Sequence, residues 1–212
     1  MKSKPSFTLT IDYSKKSISP DYIRPSYFAN ALFPISLDAI KYIDDHSFFC
    51  KIPKGKIFLK QGNICPYVFI VNKGVARGFI KNGKKEITTW ITAENEMVTS
   101  ISSFFSQTPA IENIQALEDC ELTGLSFDIL ENIYKRFPEM NIVTRKLLEK
   151  YYCDAEDRAF VGRLPKAVDK YKHFLKTKPQ LINRIPLKFV ASFLGITMET
   201  LSRLRTNLSK TQ

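Results

Sequence analysis

The residues best suited to chemistry in this sequence lie near its C-terminal end, on one face of an amphipathic segment. If Leu201, Leu204 and Leu208 turn inward on a helix, the opposite face carries polar side chains. Arginine suits the O6 and N7 acceptors of guanine, and glutamate can accept a hydrogen bond from the N4 amino group of cytosine. The predicted DNA-binding residues are Lys188, Thr197, Met198, Glu199, Thr200, Ser202, Arg203 and Arg205. Within this set, Lys188 and Arg205 are better placed for phosphate.

Two short helical patterns, over residues 187–194 and 198–208, must position this face. A turn containing Gly195 separates them, and glycine permits the positive φ that such a turn requires. Small Ala191 lets the helices approach, and Thr197 stands where an N-cap hydroxyl is expected. Together these features predict a helix-turn-helix whose second helix enters the major groove. The alternative is an ordinary helical hairpin with a solvated polar face.

The distribution of charge favours an anionic partner for the chain. The 212 residues include 32 Lys and Arg against 21 Asp and Glu, a formal net charge of +11. Residues 1–85 hold 15 basic and 5 acidic side chains, and residues 135–212 hold 17 and 7. Residues 86–134 hold nine acids and no lysine or arginine. The basic ends favour DNA, with solubility alone as the alternative, whereas the acidic middle is a poor host for an anion.

The middle of the chain has the pattern of an antiparallel β-structure. Short apolar runs between residues 48 and 125 are separated by turn residues, and Asn82-Gly83 is a strong hairpin signal. Many closely spaced short strands predict a sandwich or jelly-roll. Residues 1 to about 30 are polar, with three prolines, and are interpreted as a loosely ordered arm, followed by a short helix capped by Ser36.

A long helix is predicted from residue 140 to about residue 162. Val143, Leu147 and Tyr151 recur at steps of four, and a second stripe contains Ile142, Leu148 and Tyr152. Two apolar faces predict that one packs on the β-roll and the other on a partner subunit, with Val143, Leu147 and Tyr151 as candidate seam residues. Packing of both stripes within one chain is the alternative.

The order of these elements resembles the Crp/Fnr family, the catabolite activator and fumarate-nitrate regulator group of bacterial transcription factors. The resemblance covers about residues 36–208 and is carried by residues 54–62, 71–74 and 115–122 and by the helix-turn-helix with Glu199, Thr200 and Arg203. It implies an α+β fold: an antiparallel, cyclic-nucleotide-binding-like β-roll, a long dimerisation helix and an all-α C-terminal domain. It also implies a homodimer on a roughly palindromic operator, with RNA polymerase as a further candidate partner.

The same resemblance locates a candidate effector pocket. Members that bind cyclic AMP use a Gly-Glu-Leu stretch for the ribose and an Arg-Ser pair for the phosphate. The corresponding candidates here are Thr99, Ser100 and Ile101, then Ala110 and Ile111, or Glu112 and Asn113 if the alignment shifts. Neither position matches, so cyclic AMP is not expected to bind; backbone N–H groups could still hold an anion. No cofactor is predicted, and any small-molecule effector is unidentified.

The predicted organisation is an arm (1–35), an effector-sensing β-roll domain (36–137), a dimerisation helix (138–162) and a helix-turn-helix domain (163–212). The family's β-hairpin wing is expected to be missing. Its phosphate contacts are assigned to basic residues upstream of the motif, namely Lys166, Lys170, Lys172, Lys176, Lys178 and Arg184. A ligand-sensing or protein-interaction module with a vestigial helix-turn-helix is the competing interpretation.

Other classes of protein are disfavoured by what the sequence lacks. It has only two histidines, no nucleophile–base pairing, no zinc-ligand spacing and no phosphate loop, which argues against an enzyme. Its four cysteines are scattered and are expected to be mostly buried thiols, with no metal site. No apolar run approaches ~20 residues and residues 1–16 lack a signal-peptide core, so a cytoplasmic protein without a membrane partner is expected.

Overall fold

Alternating apolar residues between positions 48 and 126 build two four-stranded antiparallel sheets in the computed structural model, which describes residues 24–209. The strands are β1 (Phe48–Ile52), β2 (Ile57–Leu59), β3 (Tyr67–Lys73), β4 (Ala76–Asn82), β5 (Lys85–Thr92), β6 (Met97–Val98), β7 (Asn113–Ala116) and β8 (Cys120–Ser126). One sheet has the order β1-β8-β3-β6 and the other β2-β7-β4-β5. These strands confirm the predicted antiparallel β-structure.

The two sheets enclose an apolar core, and turns between strands bring neighbouring segments into register. Phe58, Phe69 and Leu122 are among the buried side chains between the sheets. The β4–β5 hairpin turns at Gly83 with φ +60°, as the Asn82-Gly83 signal predicts.

Eight α-helices surround the sheets within the described residues. They are α1 (Pro25–Leu32), α2 (Leu37–His46), α3 (Ile101–Ser106), α4 (Phe127–Arg136), α5 (Glu139–Arg163), α6 (Ala167–Thr177), α7 (Leu187–Leu194) and α8 (Met198–Ser209). The hydroxyl of Ser36 accepts a hydrogen bond from Ala39 N–H and caps α2, as predicted. A corresponding cap at α4 is made by Ser126.

Helix α1 corrects the interpretation of the N-terminal arm. Residues 25–30 were assigned to a loosely ordered segment because they lack a long apolar period. They instead lie in α1, which begins at a proline, and Ala29 is buried against α2, α4 and α5. The segment shows no sustained hydrophobic period, and its burial comes from tertiary packing. Residues 1–23 of the predicted arm lie outside the described residues.

The C-terminal helices share a hydrophobic core with the end of the β-roll. Val75 of the β3–β4 turn and Ile91 of β5 pack in one cluster with Phe174 of α6, Leu194 of α7 and Leu201 of α8. Helices α4 and α5, which follow the β-roll in the chain, form a separate hydrophobic cluster with α1 and α2. Across residues 24–209, none of the helices combines the length and hydropathy needed to cross a bilayer.

Candidate nucleic-acid interface and adjoining cavity

Helices α7 and α8 are joined by a three-residue turn whose geometry follows from local sequence. Gly195 has φ +65°, and its N–H donates to the carbonyl of Ser192. The Thr197 hydroxyl accepts from Thr200 N–H at 3.1 Å and caps α8. Leu201 is fully buried and fixes the rotation of α8 about its axis. The two predicted helices, the glycine turn and the capping threonine are therefore present.

The opposite face of α8 is exposed and polar. Met198 is 52% exposed, and Glu199, Ser202 and Arg203 are also exposed, whereas Thr200 and Arg205 are half-buried. Hydrogen bonds from its own backbone N–H and from Thr197 lower the pKa of Glu199, so its carboxylate is an acceptor at neutral pH. This face offers the donors and acceptors that base edges can pair with.

Helix α7 is docked on strand β5 through hydrogen bonds that sequence reasoning did not anticipate. The Ser192 hydroxyl accepts from Thr88 N–H at 2.9 Å and donates to the carbonyl of Glu86 at 3.1 Å. Both strand atoms belong to the backbone of β5, so one serine joins α7 to the edge of the sheet. Serine on a short helix gives no sequence signal for such a partner.

A buried arginine strengthens the same contact between helix and sheet. Arg77 is 1% exposed, and its guanidinium carbon lies 4.2 Å from the ring centroid of Phe79 and 3.9 Å from that of Phe189 on α7. Glu86 pairs with this guanidinium, and Gln115 accepts from it at 2.7 Å and 3.0 Å. Burial lowers the pKa of Arg77, and the Glu86 carboxylate opposes that change. The charge is thus neutralised where α7 covers it.

A second attachment joins the C-terminal segment to the β-roll through ion pairs of Arg184 and Lys178 with Glu94, Glu96 and Glu118. We call this group of ion pairs the clasp. Arg184 donates two hydrogen bonds to Glu94, at 2.7 Å and 2.8 Å, and two to Glu118, at 2.7 Å and 3.1 Å. Lys178 lies 3.3 Å from Glu96. Hydrogen bonding to Arg184 lowers the pKa of Glu94 to about 2.

The clasp corrects part of the predicted set of phosphate-contacting cations. Lys178 and Arg184 were assigned to phosphates, but both are paired with carboxylates of the β-roll. Lys170 donates to the carbonyl of Gly162 at 3.0 Å. Three members, Lys166, Lys172 and Lys176, remain exposed. The sequence could not reveal this because the acids lie at least 66 residues from Arg184 along the chain.

A cavity of about 660 Å³ lies between the β-roll, α5 and the C-terminal helices. Its roll side includes Trp90 and Glu112, where one carboxylate oxygen accepts from the Trp90 indole at 2.9 Å and from the Thr89 hydroxyl at 3.1 Å. Trp90 lies against Gly78, where a Cβ would come within 2.3 Å of the indole ring. Glycine at position 78 therefore leaves space for the Trp90 ring, which forms part of the cavity wall. A volume of this size is typical of small-molecule sites.

The structure divides the seven candidate effector residues. Thr99, Ile101 and Glu112 line the cavity. The other four do not: Ser100 and Ala110 are buried, Ile111 is 69% exposed, and Asn113 hydrogen-bonds to the backbone of Gln61 and Phe79. These residues were chosen by their position along the chain. Position alone does not tell which side chains point into the cavity where the connections of the β-roll are irregular.

The exclusion of anions from this pocket was also incomplete. It rested on the absence of lysine and arginine between residues 86 and 134, but the cavity is lined in addition by Lys150 and Arg158 of α5 and by Lys178 of α6. His173 of α6, also in the wall, pairs with Asp157 of α5 at 2.8 Å. Cations from distant segments thus line the same space. Within residues 24–209, no group of three or more His, Cys, Asp and Glu side chains is placed to bind a metal ion.

The two apolar stripes of α5 are not buried as the prediction of the seam residues requires. Val143 is buried among α1, α2 and α4 of its own chain, and the Tyr151 hydroxyl accepts from Met97 N–H at 2.5 Å on the β-roll. Leu147 is half-buried. The exposed residues of the second stripe are Leu148, at 44% exposure, and Tyr152, at 74%. The first stripe therefore packs within the chain, and the exposed apolar side chains belong to the second.

Comparison with known proteins agrees with this architecture. Residues 49–137 match the family described as the cyclic nucleotide-binding domain. The c-di-GMP responsive global regulator CLP of Xanthomonas campestris has a similar structure, with a TM-score of 0.64, 16% identity and coverage of 83% of this chain and 93% of that chain. FixK2 from Bradyrhizobium japonicum gives a TM-score of 0.67 at 16% identity, covering 78% of this chain and 85% of its own.

The sensor domain of the transcriptional regulator DNR from Pseudomonas aeruginosa is also similar, with a TM-score of 0.50, 18% identity and coverage of 63% of this chain and 94% of that domain. No curated protein sequence matches this chain. Residues 49–137 thus match the cyclic nucleotide-binding domain family, and the chain shares its fold with these solved structures.

Proposed function

We propose that this protein is a homodimeric, sequence-specific DNA-binding transcriptional regulator of the Crp/Fnr type, in which α7 and α8 act as a helix-turn-helix. The observation that carries the proposal is the exposed polar face of α8, held by the Gly195 turn, the Thr197 cap and buried Leu201. A helix that packs by one side and displays Glu199, Ser202 and Arg203 on the other is suited to the major groove. The fold shared with regulators supports the same conclusion.

Dimerisation is proposed through the outward stripe of α5. Leu148 and Tyr152 are exposed on the 25-residue helix, and Phe160 is 59% exposed nearer its end. A second copy related by a two-fold axis would cover the same stripe on both subunits. Such a dimer would present two α8 helices to a roughly palindromic operator.

The cavity beside α5 is the proposed effector site. It is bounded by the β-roll, α5 and α6, so a molecule that fills it would contact all three. A ligand with different affinities for two arrangements of these parts shifts their populations. The Gly-Glu-Leu and Arg-Ser residues expected for cyclic AMP are not found at the matching positions, so a different effector is proposed.

Two arginine substitutions test the DNA-binding proposal. If Arg203 is bidentate to a guanine in each half-site, Arg203→Ala costs roughly 1 to 3 kcal/mol per half-site and relaxes the preference at that base. Arg205→Ala, a phosphate-contact variant, weakens all sequences alike and lowers the salt slope by about one charge per subunit. A duplex selected from the promoter beside the protein's own gene and a scrambled duplex, each titrated at two salt concentrations, measure both effects.

The competing function is a sensing or interaction module whose C-terminal helices do not read DNA. The docking of α7 on β5 and the clasp are specific observations that favour it, because both hold these helices on the β-roll. If Arg203→Ala weakens the selected and the scrambled duplex equally, α8 does not read sequence and this second function is preferred.

A further inference from the structure

The tip of the β4–β5 hairpin carries three exposed lysines, Lys81, Lys84 and Lys85, which we call the hairpin lysines. They flank the Asn82-Gly83 turn, and in the part of the chain that the structure describes no carboxylate lies within ion-pair distance of their amino groups. Glu86, the acidic residue next to Lys85, is itself paired with Arg77. The tip is therefore a concentration of uncompensated positive charge.

The hairpin is joined directly to the α7–α8 unit. Ser192 of α7 bonds to the backbone of Glu86 and Thr88, and Glu86 is the residue next to Lys85. Strand residues advance by about 3.3 Å, so Lys85 lies within one such step of the attachment. Gly195, where the turn toward α8 begins, follows Ser192 by three residues. The lysines and the α7–α8 unit are thus parts of one surface region.

The register of the hairpin places a lysine on the side of the sheet that α7 covers. Lys81 pairs with Glu86 across β4 and β5, and directly opposed residues project from the same face. Glu86 binds Arg77, whose guanidinium stacks on the ring of Phe189. The amino group of Lys188 lies 4.8 Å from the centroid of the same ring. Cations from the hairpin and from α7 therefore border the same cluster.

We propose that the hairpin lysines contact DNA backbone phosphates beside the base pairs that α8 reads, so that the β-roll itself supplies part of the DNA-binding surface. The inference rests on the proposed DNA-binding function. Lysine on a flexible stem suits a phosphate, which requires charge more than a fixed geometry. Lys178 and Arg184, which could otherwise serve the phosphates, are held in the clasp. Double-stranded DNA is favoured over other polyanions because the lysines are attached to the helix pair that presents Arg203.

A charge-matched pair of triple variants of the full chain tests the proposal. The first carries Lys81→Gln, Lys84→Gln and Lys85→Gln. The control carries Lys54→Gln, Lys56→Gln and Lys60→Gln, which removes the same charge from exposed positions in and beside the β1–β2 connection. Thermal unfolding confirms that both fold, since exposed lysine substitutions rarely change stability by more than about 0.5 kcal/mol.

The measurement is the slope of log affinity against log salt for the selected and the scrambled duplex. Each phosphate contact contributes about 0.9 to that slope, so the hairpin variant should lose two to three per subunit, about equally on both duplexes, while the control keeps the wild-type slope. Equal losses in both variants would reduce the effect to net charge and overturn the proposal, as would a wild-type slope in the hairpin variant. Absence of any DNA binding by the wild-type protein would instead refute the proposed function itself.

Discussion

Removing the arginine of the clasp is the most direct perturbation of the contact between the C-terminal helices and the β-roll. In Arg184→Gln, four charge-assisted hydrogen bonds are lost, and Glu94 and Glu118 face each other without their shared cation. Gly74 N–H still donates to Glu94 at 2.8 Å, so part of the stabilisation of that carboxylate remains. We expect the C-terminal helices to loosen from the roll in this variant.

The magnitude follows from the pKa of Glu94. A value of about 2 in place of 4.5 corresponds to about 3 kcal/mol of preference for the ionised form in the folded protein. The side chain is 30% exposed and Gly74 supplies part of the effect, so solvent screening and the remaining bond reduce the share of Arg184. We therefore expect a loss of about 1 to 2 kcal/mol in the free energy of unfolding at neutral pH.

The pH dependence of the stability difference between wild type and Arg184→Gln distinguishes this electrostatic explanation from a general packing defect. Because the pKa of Glu94 is lowered on folding, its contribution is complete above about 4.5 and is lost as the pH falls toward 2. The difference between wild type and Arg184→Gln should therefore be full at pH 7 and should shrink across that acidic interval.

Urea unfolding at pH 7 and at several values between about 4.5 and 2 measures this difference. Arg163→Gln is the matched control, since Arg163 is exposed and donates only to the carbonyl of Ala159 one turn earlier. A constant difference at every pH, or a loss at pH 7 no larger than that of the control, would refute the electrostatic account of the clasp.

Two further predictions concern the dimer and the effector. Tyr152→Glu should dissociate the proposed dimer in sedimentation with little change in stability. Leu147→Glu should instead lower the unfolding free energy, because Leu147 is half-buried in a cavity wall shared with β3 of its own β-roll. A dimer that survives Tyr152→Glu contradicts the proposed seam. Trp90 is the single tryptophan and lines the cavity, so its fluorescence reports occupancy. Cyclic AMP should leave this signal unchanged at micromolar concentrations, and a saturable change would contradict the proposal of a different effector.

Patterns local in sequence predicted much of the fold correctly. Hydrophobic steps of three and four located α5, α7 and α8, and short apolar runs separated by glycines indicated the antiparallel sheets. Helices α1 and α3 were missed or misassigned, because neither shows a clear helical period of apolar residues. The polar face of α8 could be predicted because the helical period alone places those residues opposite the inward Leu201.

The surroundings of each candidate site depended on contacts between distant segments. Thr88 and Ser192 are 104 residues apart, and Arg184 and Glu94 are 90 apart, so no local pattern pairs them. The same holds for the cavity, where cations from α5 and α6 lie beside a strand segment that has none. It holds as well for α5, whose two apolar stripes are equivalent in sequence until the β-roll covers one of them.

The sequence by itself determined the secondary structure that carries the proposed function: the glycine turn, the capped helix and the polar face it displays. Periodicity, capping and positive φ act over a few residues, so residue types and spacing are sufficient to specify them. Only the tertiary structure decided which cations remain available to a polyanion and which are paired, because ion pairing depends on distance in space. For this reason Arg184, a candidate phosphate ligand by sequence, belongs to the clasp, whereas the hairpin lysines lie beside α7 with their charge uncompensated.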